Sequence, residues 1–144
     1  MISCDAEIPL LHLLPLLQRN IDLSETHKKF GVTKSQLFII LVLHFRENAT
    51  MSEIARYISS SKEQATRAVA ALYDNGLIER YEDPSNRTHV YIRLTEAGKA
   101  HMRRLIQEFC SEISARLTSS LEDDDIQKLN SAVQTAVEIL SKVK

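Results

Sequence analysis

The sequence predicts a mostly helical α+β fold with the element order ααααββαα, and three observations carry that expectation. Glycine and proline number only three each among 144 residues, which disfavours a loop-rich or all-β chain. Apolar residues recur at three- and four-residue spacing towards both ends of the chain, the pattern of amphipathic helices. Between residues 77 and 94 the period falls to two, as in a hairpin.

The elements follow in order. Leu10, Leu13, Leu14, Leu17 and Ile21 form one helical stripe within residues 7–29. Pro9 suits a first turn there, and Pro15 should kink the helix or delay its start. Beyond Gly31, Thr33 can cap a second helix running through about Arg46. Its run Leu37 to Leu43 is apolar all round, as in a helix buried on every side. Thr50-Met51-Ser52-Glu53 has capping-box spacing and opens a short helix with Ile54, Ala55 and Ile58 inward. Ser61 and Gln64 repeat that spacing and open a helix through about Asn75, which Asn75-Gly76 ends. Leu77 to Glu82 reads as a strand, Asp83-Pro84-Ser85-Asn86 as loop chemistry, and Val90 to Leu94 as the returning strand. Thr95-Glu96-Ala97-Gly98 starts a helix to about Ser120, with Leu105, Ile106, Phe109, Ile113 and Leu117 on one face. A last helix follows Glu122, where Asp123, Asp124 and Asp125 complement the positive end of the helix dipole. Ile126, Leu129, Val133, Val137 and Leu140 form its seam.

Bulk properties exclude several classes. The longest apolar run has seven residues, Leu37 to Leu43, far short of the roughly 20 that span a bilayer. No membrane partner is expected. The first residues lack a basic region, so no secretory signal is expected. Cys4 and Cys110 are too few for a disulfide framework, which leaves the cytoplasm as the expected location. No Gly-rich phosphate loop, G-x-S-x-G or metalloprotease motif is present, so neither an enzyme nor a cofactor is expected.

The middle of the chain has the layout of a DNA reader. Two short helices joined by a polar turn precede a hairpin, as in a winged helix-turn-helix whose second helix enters the major groove. Ala65, Val69 and Leu72 can face the domain, with small Ala68 and Ala71 beside them. Ser61, Lys62, Glu63, Gln64, Thr66 and Arg67 crowd the N-terminal turn of that helix, where free backbone N–H groups also favour phosphate. Gln suits adenine and Arg suits guanine. Asn86, Arg87 and His89 in the hairpin suit a minor groove or its phosphates. Lys34, with Lys28 and Lys29, can touch backbone phosphates. Charge does not advertise this role: the net charge is −1, and residues 51–94 hold six basic and six acidic side chains. A positive face must arise by segregation.

Gly31 to Gln36, Met51 to Ala55, Ser61 to Arg67, Leu72 to Arg80, and Asp83 to Arg87 leading to Leu94-Thr95-Glu96-Ala97-Gly98 resemble the MarR/SlyA family of regulators in order and spacing. The resemblance covers nearly the whole chain. It implies one MarR-like domain over 1–144, with a winged unit at about 33–94 and dimerisation helices at about 7–29 and 100–144. It further implies a homodimer on a pseudo-palindromic operator in double-stranded DNA, repressing more often than activating. Counted back from Leu94-Thr95, the family's wing usually carries Asp-x-Arg, the Arg reaching DNA and the Asp bracing it. Asn86 and Thr88 stand at those positions here. Arg87 lies between them and can take over the contact, starting from the opposite side of the ribbon. The alternative is a dimeric winged-helix module that binds another protein.

The remaining candidates are weaker. His12, His44 and His101 can line a pocket between the first, second and fifth helices, where relatives bind small aromatic acids. A small aromatic or anionic effector is the expected ligand. The histidines and cysteines show no H-x-x-x-H or C-x-x-C spacing, so no metal is expected. Cys4 lies beside Asp5, which opposes the lowered pKa a thiol sensor needs, and Cys110 reads as a packing residue.

Overall fold

The computed structural model describes residues 4–21 and 27–143, with side chains from Pro9 onward in the first stretch. The thiol of Cys4 lies outside the described side chains. The elements are α1 (Cys4–Asn20), α2 (Lys34–Arg46), α3 (Met51–Tyr57), α4 (Lys62–Asp74), β1 (Ile78–Asp83), β2 (Asn86–Leu94), α5 (Glu96–Ser120) and α6 (Asp123–Leu140), in the expected order. They fall into two compact units, Met1–Gln107 and Glu108–Lys144.

In the first unit the core gathers α2, α3, α4, the hairpin and the start of α5. Leu37, Ile39, Ile40, Leu43, Ile54, Val69, Leu72, Ile78, Ile92 and Met102 are no more than 2% exposed. Truncating such side chains to alanine typically costs about 2–5 kcal/mol. Thr33 caps α2 as expected: its hydroxyl accepts from Gln36 N–H at 3.2 Å, and its own N–H donates to Gln36 Oε1 at 2.9 Å. The helix is not buried on every side, however. Phe38 is 36% and Phe45 76% exposed, with half-buried Leu41 and Val42 between them. These positions, spaced three or four apart, are one uncovered stripe.

Helix α1 departs from expectation. It begins at Cys4, so Pro9 lies beyond the first turn, and Pro9 and Pro15 are both interior. Each proline leaves the carbonyl four residues earlier without its helical donor. Residues 9–20 are exposed, so water can satisfy the Leu11 carbonyl opposite Pro15. The helical turn at 27–29 is separate from α1; residues 22–26, which the expected 7–29 helix also included, lie outside the described set.

The hairpin is longer and its loop tighter than the sequence implies. β1 runs to Asp83 and β2 begins at Asn86, four residues before the expected Val90. Only Pro84 and Ser85 turn the chain. Asp83 Oδ1 accepts from Ser85 N–H at 2.8 Å and from its hydroxyl at 2.7 Å, an Asx turn that closes the loop. Ala49, outside either strand, pairs with Ile92 through bonds of 3.0 and 2.9 Å and pins the start of α3 to the hairpin.

The second unit comprises the end of α5 and all of α6. Phe109, Ile113 and Leu117 are half-buried on one stripe of α5, but Cys110 is exposed rather than packed because it lies off that stripe. α6 starts after Glu122, with three aspartates in its first turn and no buried residue.

Candidate nucleic-acid interface

The α3–turn–α4 segment is fixed by its caps. Thr50 and Glu53 form a complete capping box, with Thr50 N–H donating to Glu53 Oε2 at 2.9 Å and Glu53 N–H to Thr50 Oγ1 at 3.3 Å. That backbone bond, opposed by desolvation and assisted by Arg46, holds the Glu53 carboxyl below its usual value of 4.5. Arg46 lies 3.4 Å from Glu53 and donates to the Tyr57 hydroxyl at 2.6 Å, tying the end of α2 to α3. The turn uses Ser59 at φ +48°, a left-handed conformation that costs a non-glycine residue roughly 1–2 kcal/mol. Ser61 caps α4, accepting from Gln64 N–H at 3.2 Å. Among the described residues the reciprocal bond from Ser61 N–H to Gln64 does not form, so the expected box is half made and leaves the Gln64 amide outward.

α4 is sharply two-faced. Ala65, Ala68, Val69 and Leu72 are buried, whereas Lys62, Glu63, Gln64, Thr66 and Arg67 are exposed. Lys62, Glu63, Thr66 and Arg67 line a shallow concavity of about 430 Å³. The Thr66 hydroxyl donates to the Lys62 carbonyl at 2.7 Å. Among the described residues, Lys62, Glu63 and Arg67 enter no ion pair. Lys34, at the first position of α2, is exposed.

The wing carries Asn86, Arg87 and His89 at its tip. Pairing runs from Ile78↔Leu94 to Glu82↔Val90, then jumps to Asp83↔Asn86. Arg87, Thr88 and His89 therefore bulge from the ladder, all exposed. Strict alternation, which would put Arg87 on the opposite side from Asn86 and Thr88, applies only to a regular ladder. Asn86 Oδ1 accepts from Thr88 N–H at 3.2 Å and Thr88 Oγ1 at 2.5 Å, so the pair at the family's brace positions is still joined. Hydrogen bonds from Ser85, first its hydroxyl and then its amide, hold the Asp83 carboxyl low, with the His89 ring a lesser cause.

One face of the wing was not anticipated. Arg93 Nε lies 2.6 Å from Glu79, its guanidinium sits 4.6 Å from the Tyr81 ring centroid, and Tyr81 stacks on Tyr91 at 5.7 Å. His89 continues the row at 6.4 Å from Tyr91, and Asn48 Nδ2 donates to the Tyr81 hydroxyl at 2.9 Å. The alternating Glu79-x-Tyr81 and Tyr91-x-Arg93 was the available signal, since such positions share a face across the strands.

The base of the wing explains the Leu-Thr-x-x-Gly pattern. Thr95 Oγ1 donates to the Gly76 carbonyl at 2.6 Å and accepts from Gly98 N–H at 3.0 Å, while Thr95 N–H donates to the Leu77 carbonyl at 3.0 Å. Gly76 takes φ +71° at the end of α4. A Cβ on Gly98 would lie 2.0 Å from the Leu77 oxygen, so only glycine lets α5 start there.

The three histidines are not brought together. His12 is exposed on α1, His44 is exposed with its ring edge-on to Phe45 at 5.0 Å, and His101 is half-buried, edge-on to Phe30 at 5.5 Å. His101 Nε2 is buried without a partner among the described residues. Burial first, and the Arg104 charge second, push its pKa below the usual 6.5. No group of three or more potential metal-ligating side chains occurs among the described residues.

A helix, a turn, a second helix with an outward polar face and a two-stranded wing define the first unit as a winged helix-turn-helix. Residues 32–90 of the chain match the model of the MarR family. It is 26% identical over 100 residues to the uncharacterized HTH-type transcriptional regulator YhbI of Bacillus subtilis, covering 69% of this chain and 64% of YhbI. It is 27% identical over 106 residues to the transcriptional repressor MprA of Escherichia coli, covering 71% of this chain and 60% of MprA. The alignments thus span under two thirds of either relative. Among solved structures, a mutant MarR from E. coli complexed with operator DNA superposes with a TM-score of 0.63 at 22% identity, over 94% of this chain and 99% of that one.

Proposed function

We propose that this chain is a sequence-specific, double-stranded DNA-binding transcription regulator that acts as a homodimer on a pseudo-palindromic operator. The observation that carries the reading is the two-faced α4, whose first turns expose Lys62, Gln64 and Arg67 while Ala65, Val69 and Leu72 anchor it. A helix so anchored can enter a major groove as a rigid body. The similar E. coli MarR fold, solved with operator DNA, supports the same use here. Ser61, Lys62, Glu63, Gln64, Thr66 and Arg67 form the reading turn; Asn86, Arg87 and His89 grip from the wing, and Lys34 adds a phosphate contact. Repression is the proposed mode, as in the repressor MprA, and the cytoplasm the proposed location. Among the described residues no helix is long and apolar enough to cross a membrane.

Response to a small aromatic or anionic effector is part of this reading. Its support is the unpartnered His101 Nε2 beside Phe30; His12 and His44 contribute no shared site in this structure. Gel retardation of the DNA flanking the chain's own gene, over a salt series, tests the function. The expected result is a shift that weakens steeply as salt rises. A protein that retards neither this DNA nor any other duplex at low salt would instead be a protein-binding module.

A further inference from the structure

Resting on the DNA-binding reading, we propose that Glu63 is a specificity-determining residue: with Arg67 it reads a C·G pair in each half-site, Glu63 accepting from cytosine N4 and Arg67 donating to guanine. Glu63 and Arg67 stand four residues apart on α4, in the order that favours an intrahelical ion pair. The equivalent spacing does pair in α6, where Lys128 Nζ lies 2.5 Å from Asp124. Glu63 and Arg67 form no such pair, and both line the same outward concavity with Lys62 and Thr66.

Other roles for this carboxylate are already taken. Ser61 supplies the helix cap, and the Thr66 hydroxyl is held by the Lys62 carbonyl. Glu63 is thus an uncommitted acceptor on the surface assigned to the groove. A carboxylate there is repelled by phosphates and gains only from a base-edge donor. The major groove offers two, adenine N6 and cytosine N4. Adenine sets its N7 lone pairs beside N6, which suits an amide such as Gln64 and opposes a carboxylate. Cytosine presents its amino group with no adjacent acceptor. Its paired guanine presents O6 and N7, which a guanidinium one turn along the helix can take together.

The test is selection from a pool of duplexes with a randomised core, using the full chain as wild type, Glu63→Gln and Glu63→Ala. Glu63 is exposed, so unchanged thermal unfolding of both variants is the folding control. Wild type should enrich C at one position per half-site, by roughly 5- to 100-fold over the other bases. Glu63→Ala should lower the C preference at that position to what the Arg67–guanine contact alone sustains and leave the others unchanged, and Glu63→Gln should raise A there relative to wild type. If Glu63→Ala binds every duplex more tightly with an unaltered motif, the carboxylate only repels phosphate and the inference is wrong. A wild type that enriches no motif overturns the DNA-reading function itself, a separate outcome.

Discussion

Gly98 shows how much a single missing methyl decides. The backbone of α5 passes so close to the end of α4 that a Cβ would meet the Leu77 carbonyl at 2.0 Å and Leu94 Cδ2 at 3.2 Å. A carbonyl that also accepts from Thr95 N–H cannot yield without breaking that bond. Gly98→Ala should therefore cost at least about 1–3 kcal/mol, read as a lower urea midpoint with unchanged slope; an unaltered midpoint would contradict the close approach. Glu53 makes a pH-dependent contribution. Its carboxyl is held below 4.5 by the Thr50 amide and Arg46, so the folded state binds its proton less readily than the unfolded chain does. Its stabilisation is present above the unfolded value and lost as pH falls through the lower folded one. Thermal unfolding of wild type and Glu53→Gln from neutral to acid pH should show wild type more stable near neutrality and the gap closing below about pH 4.5. A gap that widened on acidification would refute the sign.

At the scale of elements, what the sequence made legible was what short-range chemistry decides. Thr33 and Thr50 cap where their spacing to Gln36 and Glu53 says they should, and the buried face of α4 follows from its period. What stayed hidden depends on partners far along the chain. Nothing local to Ala49 announces its pairing with Ile92, and Asn86 to His89 read as loop because polar residues there join a strand only through Asp83 and Val90. The exposed residues of the first turns of α4 were nameable, but the freedom of Gln64 and Glu63 depended on bonds that did not form. The wing is where family resemblance and geometry must be weighed together. Asn86 holds Thr88, which is too short to reach into a groove, and Arg87 bulges beside them with no ion pair among the described residues. If the wing meets DNA as proposed, an unbraced cation of this kind would contact phosphate rather than sequence. Arg87→Ala should weaken specific and random duplexes about equally and reduce the log–log salt slope by roughly one unit per lost contact. A loss confined to the operator would show that Arg87 reads sequence or groove shape.

At the scale of the whole molecule, the charge pattern and the apolar surface bear on the same question. With net charge −1 and a neutral 51–94 segment, one winged unit has little electrostatic attraction for DNA beyond the polar first turn of α4. In the proposed dimer, two copies on one duplex would double the phosphate contacts and select a fixed half-site spacing of about 34–36 Å or its multiples. The proposed means of pairing are the faces each unit leaves uncovered. Leu10, Leu11 and Leu14 on α1 and Val137, Ile139 and Leu140 on α6 are each more than half exposed, and α6 buries no residue. Apolar patches of this kind mark an interface, and in the proposed dimer a second copy would cover them and supply a second copy of α4 by two-fold symmetry. Sedimentation at micromolar concentration should find a dimer. Leu129→Glu and Val133→Glu, which place a charge on the α6 seam, should give monomer or aggregate. Because these positions are already part-exposed within the chain, the winged unit of a soluble monomeric variant should keep its helical content. That variant should bind duplex DNA with about half the salt slope of wild type and no preference for paired half-sites. A folded monomer in the unaltered protein would remove the two-half-site mechanism, leaving α4 as a reader without a register.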